Sequence, residues 1–289
     1  MNALSGMVAA GLAVLLSTSP LAAQRLLDWP VRTGADPEAI SAGAGAVFWN
    51  PAGAAWLDRR GEALLVDIRG PASAHVGGFA AAASVRTVDP VVFAVGFHRL
   101  GLAGIERTTR SPDSQGQLLD VSENVFRAVT AWTVADVLAV GLVLEHWRSH
   151  PGGSGSRLGA GTMIRVGGRW RPAIGVAAYA GPGSPRWFTG AEIRRSVSAG
   201  GPAEIVAAYG MTQDSRLSVP GHRGMVAAEW NDRVRVAAGI AAEPSGTMIH
   251  VDPLIEARVR IGSFTLSVLR EELASGFGAA HYLGFAATF

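Results

Sequence analysis

The chain has no cysteine and no lysine, only 17% of its 289 residues are charged, and no apolar run reaches the roughly 20 residues that a membrane-spanning helix requires. Without cysteine there is no disulfide, no thiolate metal site and no lipid-modified cysteine anchor. Without lysine, all 25 basic residues are arginine. Against 23 acidic residues they leave a formal charge of +2, so the pI of 9.6 reflects arginine's high pKa rather than a large cationic excess. No basic run is interleaved with aromatics, which excludes nucleic acid as a partner. Also missing are a G-x-S-x-G elbow, a phosphate-binding Walker loop and a complete G-x-G-x-x-G, since Gly43-Ala44-Gly45 lacks the third glycine. The seven histidines are scattered, and His146 and His150 run out of a strand into a Gly/Ser loop instead of along a helix. The reading therefore assigns no catalytic residue, no metal ligand and no cofactor, and expects a protein that is not an enzyme.

What is present is apolarity without spanning helices: 48% hydrophobic residues and a mean hydropathy of +0.25. Closed β-barrels are the other architecture that satisfies every backbone group in a bilayer. From Glu62 onward, short alternating segments recur. Fourteen can be read, from Glu62–Gly70, Ser73–Arg86 and Val91–Gly101 through Leu254–Ile261 and Phe264–Glu271 to Phe277–Phe289, most near the ~9–11 residues of a tilted spanning strand. Short turns, such as Val88-Asp89-Pro90, Ala135-Asp136 and Asn231-Asp232, alternate with mostly longer connections, as periplasmic turns and extracellular loops do in such barrels.

Parity within the strands separates two faces. Leu138, Val140, Leu142 and Leu144 share a lipid-type face opposite Ala139, Gly141, Val143 and Glu145, and Ile255, Ala257, Val259 and Ile261 oppose Glu256, Arg258 and Arg260. Trp132 and Trp230 close outward faces beside short turns, where an aromatic girdle would lie. Parity assigns to the lumen Asp67, Arg69, Arg127, Glu145, Glu192, Arg194, Glu204, Glu229, Arg235, Glu256, Arg258 and Arg260. Both signs occur, which suits either a self-neutralising network that stiffens the lumen or a polar pathway for a solute.

Residues 1–23 contain a short apolar core, Met7 to Leu16, followed by Leu21-Ala22-Ala23, and read as a signal peptide cleaved near Ala23. No Lys or Arg precedes that core, so either the true start lies elsewhere or the free amine supplies the positive charge. Asp36-Pro37-Glu38 predicts a brief helix through Ile40 that Gly43 and Gly45 break. Asn50 is placed to cap a second short helix beginning at Pro51 and running to Leu57.

The stretch Ala46 to Gly53, AVFWNPAG, followed directly by the run of strands, resembles the N-terminal motif of the FadL-type outer-membrane transport superfamily. It is similar as well to the PorV/PorQ-type barrels associated with type IX secretion. The motif proper is Phe48, Trp49, Asn50, Pro51, Ala52 and Gly53. The resemblance implies that residues 24–60 form a periplasmic-side plug in the mouth of a barrel of about fourteen strands formed by residues 61–289. The closing segment, with Leu283, Phe285 and a terminal Phe289, resembles the signal that outer-membrane barrels present to their insertion machinery; His281 departs from its apolar pattern. The implied setting is the outer membrane. The implied partners are its lipid, the insertion machinery and either a small hydrophobic or amphipathic cargo or a protein of a secretion system. Connections shorter than a fatty-acid catcher needs, and large apolar surface limited to Phe48, Trp49, Trp56, Trp187 and Phe188, count against long-chain fatty acid as the cargo.

Overall fold

In the computed structural model the described residues are 31–57, 59–71, 75–107, 117–181, 185–197, 203–214, 219–245, 248–273 and 278–289. The expected signal peptide, residues 1–23, and the first part of the expected plug lie outside them.

Fourteen strands form one closed antiparallel barrel. They are β1 (Gly61–Arg69), β2 (Val76–Val88), β3 (Val91–Arg107), β4 (Gln117–Ala135), β5 (Leu138–His150), β6 (Ser154–Arg165) and β7 (Trp170–Ala180), then β8 (Arg186–Ser196), β9 (Ala203–Asp214), β10 (Gly221–Trp230), β11 (Val234–Ser245), β12 (Met248–Ile261), β13 (Phe264–Leu273) and β14 (Gly278–Thr288). Neighbours in sequence are neighbours in the wall, and β1 closes on β14. At the seam Gly61 and Phe289 exchange both backbone hydrogen bonds, at 2.8 and 3.0 Å. Closure leaves no sheet edge.

The alternation fixes what each face meets. Leu144 is 51% exposed and Ile255 60%, whereas their neighbours Glu145 and Glu256 are fully buried inside. An outward face of this kind, Leu, Ile, Val and Phe with few charges, is what lipid covers. Trp132, Trp170 and Trp230 all point outward at the end of the wall that carries the short turns. We call this the terminal end, because both ends of the barrel domain lie there.

Several strands run further toward the opposite, far end than the sequence suggests. β3 and β4 continue through a register slip between Leu102 and Ile105, to Arg107 and Gln117. β12 starts six residues before Leu254 and passes through Pro253. Proline argues against a central strand, yet inward Asp252, Leu254 and Glu256 keep their parity across it.

Residues 31–57 fill the lumen as three 3₁₀ turns, Glu38–Ile40, Gly43–Phe48 and Pro51–Ala55. The first covers the expected stretch without a side-chain cap, and the third is capped by Asn50 as expected but ends at Ala55 instead of Leu57. The first turn ends at Ile40, ahead of Gly43 and Gly45, and a second turn that the sequence does not predict begins at Gly43: Gly43 takes φ +66°, and the Ala44 N–H donates to the Glu62 carboxylate at 3.1 Å. Val47 and Phe48 join the inward Val66, Ile68, Ala80 and Val129 in one apolar core.

Candidate functional site: the plug and its seat

Asn50 organises one side of the plug. Its backbone is extended, its side-chain oxygen accepts from the Ala52 N–H at 3.1 Å, and Pro51 opens the following turn. Its Nδ2 donates to the Ala39 carbonyl at 2.6 Å and to the Thr162 carbonyl of β6 at 3.2 Å. One fully buried amide thus caps a turn, ties two plug segments together and pins them to the wall.

That approach requires a wall without side chains. Gly141 and Gly161 face each other across β5 and β6, and Gly175, Gly190 and Gly210 form a row across β7, β8 and β9. A Cβ at Gly161 would land on Asn50 Oδ1, one at Gly175 on the Ala39 carbonyl oxygen, and one at Gly141 on the Pro51 carbonyl carbon. Glycine is needed at these places for close approach. Beside this seam the Trp49 ring packs edge-on against Phe188 at 5.6 Å, Phe188 packs against Tyr179 at 5.9 Å, and the Tyr179 hydroxyl donates to the Trp49 carbonyl at 2.5 Å. Phe188 faces in, whereas Trp187 faces out, so the two aromatics that adjoin in sequence serve opposite faces.

The other side of the plug is held by charge. Arg32, buried, pairs with Glu38 and with Glu271 of β13 at 3.1 Å, and Glu271 accepts also from Arg223 of β10 at 2.5 Å. Asp36 takes Arg235 of β11 at 2.5 Å, with Arg258 at 3.9 Å, and the Ala35 N–H donates to Glu256 at 2.9 Å. Burial alone would raise the Asp36 carboxyl; Arg235, then Arg258 and Arg194, outweigh it and hold the group well below the ordinary carboxylate range. Burial likewise opposes ionisation of Glu38, and Arg32 followed by Arg223 overrides it and lowers its pKa.

Of the charges assigned to the lumen, ten project inward and fall into groups. Arg127 donates to Glu145 at 2.7 Å, and Arg157, on the far side of Glu145, completes a triad next to the buried His98. Arg194 bridges Glu192 and Glu229 at 2.6 and 3.0 Å, and Glu204 pairs with Arg171. Arg235, Glu256 and Arg258 meet at Asp36. Arg260 sits nearer the terminal mouth.

Asp67 and Arg69 do not belong to this set. They pair with each other at 2.7 Å on the outer surface, with side chains 44% and 77% exposed. In β1 it is Val66 and Ile68 that turn inward, because the plug presents apolar Val47 and Phe48 there.

Sequence reasoning missed Glu123, Arg157, Arg223 and Glu271 on the wall, and Arg32, Asp36 and Glu38 on the plug. The wall residues share parity with inward neighbours, for example Glu271 with Leu269 and Arg223 with Met225, so strand alternation carried the signal. Leu283, Phe285 and Phe289 face outward, and Phe285 stacks on Phe264 at 5.6 Å.

Below the plug, at the terminal end, a cavity of about 830 Å³ opens between the plug's underside and the short turns. Asp36, Arg165, Glu192, Arg235, Arg258 and Arg260 are among its lining groups. The register of β5 to β8 beside Asn50 runs without interruption, so the described wall offers no lateral gap there.

Fold and site together define a class: a closed fourteen-strand barrel whose bore is filled by an N-terminal plug. No family model matches this chain, and no curated protein matches it in sequence. Solved structures do share the fold. It is similar to the toluene transporter TbuX of Ralstonia pickettii (12% identity, TM-score 0.54, covering 89% of this chain and 96% of that one). It is similar also to the toluene transporter TodX of Pseudomonas putida (10%, 0.55, 92% and 98%) and to the monoaromatic hydrocarbon channel CymD (11%, 0.58, 90% and 97%). The closed barrel of fourteen strands expected from the sequence is thus the fold observed.

Proposed function

We propose that this chain is an outer-membrane barrel that passes small hydrophobic or amphipathic molecules by displacing its plug. The observation that carries the reading is how the plug is held. Among the described residues, no backbone–backbone hydrogen bond joins 31–57 to a strand; retention rests on side chains and shape. The wall closes on itself without the plug, so the plug can leave its seat while the ladder stays intact. The fold shared with channels for toluene and other monoaromatics supports the same reading. The uninterrupted register beside Asn50 directs the path along the bore into the terminal-end cavity, and the charged lining of that cavity favours cargo with a polar end.

A second reading has two specific observations in its favour. A wall with no gap beside Asn50 and a lumen saturated with ion pairs also suit a barrel that moves no solute and serves as a partner in secretion or surface attachment, as the PorV/PorQ resemblance implies. Gentle extraction from native outer membranes followed by native mass spectrometry separates the two. Transport predicts a stoichiometric small molecule that is lost on Asn50→Ala, together with faster entry of a monoaromatic probe into vesicles carrying that variant. A co-purifying protein, no small molecule and unchanged probe entry would overturn transport in favour of the partner role.

A further inference from the structure

The outward face is not uniform around the barrel. On β9 to β12 the described outward positions carry no Arg, Asp or Glu; they read Ile205, Tyr209, Val226, Val236, Ile240, Val251 and similar residues. Around the β1–β14 seam there are charges, but they neutralise one another: Arg69 with Asp67, and Arg270 with Glu272.

The face of β3 to β5 differs from both. Register places Arg99 of β3 beside Asn124 of β4, and Asn124 beside Arg148 of β5. One step nearer the terminal end on the same face, Phe97, Phe126 and His146 line up, and Phe79 of β2 stands beside Arg99. Beyond the arginines, Ser122 stands beside His150. Arg99 and Arg148 are exposed and have no carboxylate partner among the described residues. Asp120, the acid further out on this face of β4, accepts the Gly104 N–H at 3.1 Å, and His146 bonds Ser156 at 2.9 Å.

The level of this row is informative. On β4, Trp132 marks the terminal-end girdle and Asn124 lies eight positions away on the same face. At about 3.4 Å per residue and a tilt of about 40°, that is roughly 20 Å along the barrel axis, close to the height of an apolar belt. Two unpaired guanidiniums with amide and imidazole donors therefore sit where acyl chains give way to headgroups, at the upper edge of the ring ladder Phe79–Phe97–Phe126, in which Phe79 lies beside Arg99 and the other two rings one step below, with centroids 5.5 and 4.7 Å apart. Guanidinium forks match phosphate oxygens, and the rings below match acyl chains.

We infer that the outer face of β3 to β5 holds a phosphorylated lipid of the outer leaflet, with Arg99 and Arg148 as its phosphate ligands and Asn124 between them. The inference rests on the outer-membrane reading of the barrel. Purified full-length barrel in zwitterionic detergent would be given lipid A, which carries two phosphates, or its fully dephosphorylated counterpart, and bound lipid counted by native mass spectrometry. The expected result is retention of the phosphorylated form alone. Loss should be about five-fold for Arg99→Gln or Arg148→Gln and about twenty-fold for both, while Arg69→Gln with Arg270→Gln leaves binding unchanged. Equal retention of both lipids, or full retention by the Arg99/Arg148 double variant, would overturn the site while leaving the barrel reading standing. A chain that fails to insert into lipid vesicles, seen as complete digestion of the strands by protease, would overturn both.

Discussion

The two sides of the plug are held by different physics. Against β5 to β9 the contact is one of shape: Asn50, Ala39 and Pro51 press onto Gly141, Gly161, Gly175 and Gly190, with Trp49 wedged beside Phe188. Against β10 to β13 the contact is one of charge: Arg32 with Glu271, and Asp36 with Arg235. A shape contact is strained by added volume but is indifferent to pH and salt. A charge contact tolerates small changes of volume but not the loss of a partner, because the remaining charge is stranded away from water. The charge side is therefore the first to release, and the shape side is the last contact the plug has to leave.

The largest break in this contrast is predicted for Glu271→Ala, which leaves both Arg32 and Arg223 without their shared carboxylate. A loss of about 3–5 kcal/mol is expected, measured by denaturant unfolding in detergent, with hydrogen exchange rising around residues 32–38 before it rises around 50–55. Next comes Gly161→Ala. The new methyl meets the Asn50 amide, and an overpacking cost of about 1–3 kcal/mol is expected, with exchange rising first at 50–55. Asn50→Ala removes a cap and takes away the donor that the Ala39 carbonyl has from the Asn50 amide; about 1–3 kcal/mol is expected, with the same pattern of exchange.

Acid sharpens the comparison without mutation. Asp36 and Glu38 have pKa values lowered in the folded state, so their contribution is fully present above the ordinary carboxylate pKa near about 4 and fades as pH falls through the folded values below it. Protection at 32–38 should stay flat from neutral pH to about 5 and decline below about 4, while protection at 50–55 holds; parallel decline of both segments would contradict the division. The smallest effect is expected for Arg69→Gln, whose pair is exposed on the outer surface, and which should leave unfolding unchanged.

Much of this was legible in the sequence, and the reasons differ by region. Two-residue alternation in segments such as Leu138 to Glu145 fixes both strand and face, because only one face may meet lipid. Asn50-Pro51 specifies a capped turn by local chemistry alone. β1 misled because Leu64, Leu65, Val66 and Ile68 are apolar on both parities, and a rule that sends charges inward overlooks an apolar plug behind the wall. Gly141, Gly161, Gly175, Gly190 and Gly210 look unremarkable one at a time; they become a seat only when register aligns strands that lie some 15 to 20 residues apart in sequence. The ion pairs that tie Arg32 to Glu271 and Asp36 to Arg235 join residues 239 and 199 apart, and no local pattern encodes them.

The central claim, that the plug leaves its seat as cargo passes while the wall stays closed, can be tested by fastening the plug. A Cβ built at Gly190 lies 3.2 Å from the Ala39 Cβ, close to the ~3.5–4.5 Å of a disulfide, and the chain has no other cysteine to interfere. Ala39→Cys with Gly190→Cys, reconstituted in vesicles, should pass a monoaromatic probe when reduced and block it when oxidised, with reduction restoring passage. Equal passage in both states would contradict displacement of the plug and place the route elsewhere in the molecule.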